Sequence, residues 1–188
     1  MSETRVSWHS INPSAPFLVN RGDLGLQDYR NWVASGAYSA HLFDGSLLQI
    51  TYDVSGGDIS GHRLAYIPCP YRLDPDMVYQ DPLLDVVDIH VATEPANMLL
   101  RSAVRFDYDP ENAKPGHPSS HMTINASSCR IACAAPLHIG RFIDFIFRHF
   151  YADIWSGHTD YFSRGAHREI GARTIIEEDR YGPHIWWE

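Results

Sequence analysis

A chain of 188 residues with 44% apolar and 20% charged side chains has the size and composition of one globular domain, and it lacks the low hydrophobicity and high charge of disorder. Its formal net charge of −8 repels a phosphate backbone on average, which excludes broad non-specific nucleic-acid binding and leaves only a local basic patch. Three cysteines give no disulfide framework, the N-terminus has no signal-peptide pattern, and no run approaches the ~18 apolar residues of a membrane span, so the expectation is a cytoplasmic protein without membrane association.

In chain order, residues 1–22 read as an extended lead-in. Leu26, Tyr29, Trp32 and Val33 then recur at helical spacing, with Asp23 as a candidate cap and Gly36 where a left-handed terminating glycine belongs. The period next changes to two. Residues 37–43 and 46–54 flank Asp44-Gly45, a hairpin signal, and residues 62–67 form a third strand ended by Pro68 and Pro70. Residues 70–84 are a Pro- and Asp-rich connection long enough for a functional loop or lid. Further strands are expected at 86–93, 99–108, 120–125 and 129–133. From 140 to 155 Phe142, Ile143, Phe145, Ile146, Phe147 and Phe150 make the wide apolar face of a helix, with Asp144 and Arg148 at ion-pair spacing. Residues 174–177 suggest an edge strand. The predicted architecture is α+β over 1–188 as one domain. It has one antiparallel sheet of six to seven strands, a short N-terminal helix, the long aromatic helix on one face, and an irregular segment from 156 onward.

Familiar catalytic signatures are missing: there is no phosphate-cradling glycine loop with its lysine, no dinucleotide fingerprint and no nucleophile elbow. Cys129 and Cys133 fall about 13 Å apart on a strand, too far to share a metal ion, and read as core residues. His117 and His121 have zinc-like spacing only on a helix, and Pro118 with the alternation after it indicates a strand. No cofactor is expected.

The constellation that carries chemistry comes from strand alternation. If strands 99–108, 120–125 and 129–133 are consecutive neighbours, one face carries Arg101, Arg105, Asp107, His121, Thr123 and Arg130. Arginine forks hold anions by bidentate hydrogen bonds, and a histidine exchanges protons near neutral pH. The functional expectation is a phosphate, nucleotide or RNA site serving a defence or toxin-like system: Arg105 and Arg130 with Arg101 and Thr123 bind the ligand, His121 is acid or base, and Asp107 orients it. The bland alternative is an ordinary solvated sheet face. Two other readings stand beside these. A non-catalytic subunit would dock a larger protein through Trp186 and Trp187 together with the 70–84 connection, aromatic residues being favoured anchors. A metal hydrolase would use His117, His121 and a carboxylate.

Two stretches carry a family resemblance. One is Gly45-Ser46-Leu47-Leu48-Gln49-Ile50-Thr51-Tyr52 leading into His62-Arg63-Leu64-Ala65-Tyr66-Ile67-Pro68-Cys69-Pro70. The other is His117-Pro118-Ser119-Ser120-His121 with Cys129-Arg130-Ile131 and Phe142-Ile143-Asp144-Phe145-Ile146. Over roughly residues 25–160 the chain resembles an uncharacterised bacterial family known only as a domain of unknown function. The resemblance implies a bacterial protein from a mobile or defence-associated setting, and no activity.

Overall fold

The computed structural model describes residues 4–7, 24–126, 128–164 and 171–187. Eight strands form one sheet: β1 (Thr4–Ser7), β2 (Ala40–His41), β3 (Leu47–Ser55), β4 (Asp58–Ile67), β5 (Val104–Tyr108), β6 (Ser120–Ile124), β7 (Arg130–Cys133) and β8 (His184–Ile185). Their order is β1-β3-β4-β5-β6-β7-β8, with β2 also paired to β3. Every pairing is antiparallel except β7 with β8, which is parallel.

The α+β class and the mostly antiparallel sheet therefore stand as predicted, but several elements differ. Residues 86–93 are not a strand. They belong to helix α3 (Leu83–Thr93), which buries Leu83, Val86 and Val87. The β-branched run suggested a strand, and the i, i+3, i+4 burial of those three residues overrides that propensity. The 70–84 connection is not an open loop but contains α2 (Pro75–Gln80), capped by the Asp74 carboxylate. The strand expected at 37–43 shrinks to β2. Leu42 and Ser46 close its hairpin around a three-residue turn in which Gly45 holds a left-handed φ of 82°. Residues 174–177 form no strand, because β8 occupies the place beside β7. The long helix breaks at Tyr151 into α4 (Ile139–Phe150) and α5 (Ala152–Gly157). The Tyr151 hydroxyl is held by Asp44 and by the Tyr66 hydroxyl, which fixes the chain where the helix stops. A short helix, α6 (Thr159–Phe162), follows.

Both faces of the sheet are covered. On one, Leu48, Ile50, Leu64, Val104, Phe106 and Met122 meet Phe142 and Ile146 of α4. Full burial of such a side chain contributes roughly 1.5–3 kcal/mol. On the other, Leu47, Ala65, Ile67 and Ala103 meet Tyr29, Trp32 and Val33 of α1 (Leu26–Ser35) and Val86 and Val87 of α3. Helix α1 ends at Gly36 in the left-handed conformation as its sequence predicts, while its first turn is held by the Gly25 amide bonded to Asp28. Asp23, the expected cap, lies outside the described residues. Among the described residues no helix is long and apolar enough to cross a membrane.

Candidate functional site

The face under α1 and α3 is organised in rows across the strands. Leu47 and Ile67 pair in the first. Gln49, Ala65, Arg105, Thr123 and Arg130 make the second. Thr51, Arg63, Asp107, His121 and Ala132 make the third. The alternation of β5, β6 and β7 does bring Arg105, Asp107, His121, Thr123 and Arg130 together, since successive side chains on a strand point to opposite faces. This part of the sheet is not an ordinary wet surface. Arg105, Asp107, His121 and Thr123 are each no more than 5% exposed.

Asp107 is the hub. Its Oδ1 accepts from Arg63 Nε at 3.0 Å and its Oδ2 from Arg105 Nε at 2.6 Å. His121 Nε2 lies 3.6 Å from the same Oδ2, beyond hydrogen-bond reach. Burial pushes the Asp107 carboxyl up, but Arg105, Arg63 and His121 outweigh it and hold it below the usual carboxylate range. Arg105 is drawn down by burial and supported by Asp107, and as a guanidinium it stays charged. Burial also lowers His121 against the opposing pull of Asp107. The His121 Nδ1–H donates to the Pro118 carbonyl at 2.8 Å, so in the neutral ring Nε2 carries the lone pair. That lone pair faces the cluster and can take or return a proton.

Two guanidiniums, from Arg63 and Arg105, meet one carboxylate among the described residues, and a third, from Arg130, lies near enough to act on Arg105. The Arg130 Nε and the Thr123 Oγ1, neighbours across β6 and β7, are both buried without a hydrogen-bond partner among the described residues. Buried polar atoms are normally satisfied, so such a pair marks a place for an acceptor. Arg63 reaches solvent, its side chain being 42% exposed, and gives the cluster an open flank.

Arg101 does not join the cluster. β5 begins only at Val104, so the alternation that placed Arg101 with Arg105 fails there, and its guanidinium lies 3.9 Å from Asp44 instead. Arg63 is the cluster residue that was missed, although the two-residue period of β4 gave the signal: it shares parity with Ala65 and Ile67. His117 stacks edge-on to His121 with ring centroids 4.8 Å apart. Among the described residues no three His, Cys, Asp or Glu side chains converge to hold a metal ion. Cys133 is buried as expected of a core residue, whereas Cys129 is exposed ahead of β7. His138 caps α4 through Nδ1, which accepts from the Gly140 amide. Asp144 accepts from Trp155 Nε1, and Arg148 lies over the same ring, so both grip an aromatic residue. His167, Arg168 and Glu169 lie outside the described residues.

The two C-terminal tryptophans separate. Trp187 packs among Phe106 and Phe145 in the core on the α4 side. Trp186 is 41% exposed and lies beneath the guanidiniums of Arg173 and Arg180.

Residues 1–187 match the profile of a family described as an uncharacterized conserved protein (DUF2290). The chain belongs to that family. The match runs well past the 25–160 stretch that carries the visible motifs, and the family description assigns no activity. No curated protein and no solved structure matches the chain.

Proposed function

We propose that this DUF2290 protein binds a phosphate group, carried by a nucleotide or a nucleic acid, on the row formed by Arg105, Thr123 and Arg130. The observation that carries the reading is the buried pair of Arg130 Nε and Thr123 Oγ1, unpartnered among the described residues, in a cluster where those residues supply more guanidinium than carboxylate groups. A phosphate oxygen would satisfy both atoms and offset the excess charge. His121 supplies a proton acceptor at Nε2, and Asp107 positions Arg63 and Arg105 and becomes the partner of His121 once the ring is protonated. With RNA, Nε2 would take the proton of a 2′-hydroxyl as that oxygen attacks the adjacent phosphorus to form a 2′,3′-cyclic phosphate, and the same proton would pass through water to the 5′-oxygen as its bond to phosphorus breaks. Titration calorimetry with inorganic phosphate tests the binding role. Arg130→Gln should weaken it at least tenfold, the loss of one charge-assisted hydrogen bond. Unchanged affinity in Arg130→Gln removes the phosphate assignment, and unchanged nucleotide turnover in His121→Ala removes the proton-transfer role. The free thiols of Cys69, Cys129 and Cys133 support a reducing, cytoplasmic setting.

A second reading, a non-catalytic subunit that docks a larger protein, is supported by Trp186, an exposed aromatic flanked by Arg173 and Arg180. Under it, Trp186→Ala would lose a copurifying neighbour without loss of folding. A chain that runs as a monomer with no neighbour retained ends this reading.

A further inference from the structure

We infer that the site takes a mononucleotide, with its phosphate on the arginine row and its base in a cavity one row away. This rests on the reading of that row as a phosphate site. A cavity of about 350 Å³ lies between the sheet and α1, lined by Tyr29 and Trp32 from the helix and by Ile67, Ala103 and Asn125 from the sheet side. Ligand pockets begin at about this size and are mostly apolar with a few polar groups. The cavity and the arginine row adjoin in the chain itself. Ala103 lies one residue before β5 and precedes Arg105 by two, a step of roughly 7 Å in extended chain, and Asn125, just past β6 at a left-handed φ of 57°, donates its amide to the Ala103 carbonyl. Ala65, the cross-strand partner of Arg105, and Ala103 are both small, and both are buried against side chains of α1 and α3.

The chemistry of the two halves differs as the two halves of a nucleotide differ. Tyr29, Trp32 and Ile67 offer apolar and aromatic surface to a planar ring. Asn125 makes no side-chain hydrogen bond to the described residues, and a carboxamide pairs donor and acceptor with a base edge. A long polymer fits less well. The chain as a whole carries a formal charge of −8.

The test is calorimetry on the full chain with inorganic phosphate, the four ribonucleoside monophosphates, their nucleosides and a short single-stranded oligonucleotide. At least one monophosphate should bind ten times tighter than phosphate or more, and tighter than the oligonucleotide. Gly25→Leu and Ser102→Phe, two substitutions at the cavity wall, should erase that gain and leave phosphate affinity in place. A β-carbon at Gly25 meets nothing closer than Asp28 Oδ2 at 3.8 Å, and Ser102 is exposed, so both changes are compatible with the fold. Monophosphates that bind no tighter than phosphate overturn this inference while the phosphate site stands. A gain that survives in both variants, or an oligonucleotide that binds tightest, also overturns it. If neither phosphate nor any nucleotide binds, the phosphate reading itself falls.

Discussion

His62 and His121 sit on opposite faces of the sheet, and burial holds both rings toward the neutral form. His62 Nε2 accepts from the Leu137 amide at 2.9 Å, and burial lowers its pKa from 6.5 to about 4. Protonation would turn that acceptor into a donor facing a donor. The unfolded chain, with an ordinary histidine pKa, takes up this proton first. The contribution is therefore fully present above about pH 6.5 and is lost as pH falls toward 4, amounting to about 3 kcal/mol. Urea unfolding between pH 7 and 4 should show this slope, and His62→Gln should flatten it, because the amide oxygen still accepts from Leu137 at either pH. His121 adds to the slope in the same direction. A slope of equal size in His62→Gln would place its source elsewhere. At this scale the sequence was only partly readable. Residue types and parity pointed to Asp107 and His121, but nothing local says that a histidine is buried, since the covering groups come from distant segments.

At the scale of elements, the Asp44-Gly45 hairpin shows how a turn residue becomes a packing residue. A β-carbon on Gly45 would lie 2.7 Å from Leu73 Cδ1 and 3.3 Å from Cys69 Sγ, on a backbone with φ of 82°. Gly45→Ala should cost about 2–4 kcal/mol from strain and overpacking together. Gly57, at φ 94° with nothing within 4 Å of its β-carbon position, isolates the conformational part, and Gly57→Ala should cost about 1–2 kcal/mol. Equal losses in denaturant titrations of the two variants would show that contacts with Leu73 and Cys69 contribute nothing. The hairpin was legible because its turn chemistry is local. Helix α3 was not, because Val86, Val87, Ile89 and Val91 favour a strand until Leu83 is included in the period. The break at Tyr151 was hidden for a similar reason: its partners Asp44 and Tyr66 lie on another part of the chain.

Across the whole molecule, the pleat of the strands determined which polar side chains share a face, and the burial of Arg105, Asp107, His121 and Thr123 shows that this face is covered. An alternating strand looks the same in sequence whether its polar side meets water or protein, so Arg105 and His121 read equally well as a surface or as a site. The rows resolve this by gradation: apolar side chains lie beneath α1 and α3, then the arginine row, then Asp107 and His121. Arg101 failed as a site residue because parity holds only while a strand lasts, and Arg63 was overlooked because β4 was read for its apolar side.

The sheet order has one further consequence. The strands of nine and ten residues, β3 and β4, lie inside the sheet, while its path ends in β1, with four residues, and β8, with two. An edge offers unpaired amides and carbonyls to any other chain that can extend alongside it, and a short edge offers few. The longest and most apolar strands are thus sealed away from contact between molecules, so two short terminal strands shield this sheet from growing into an aggregate.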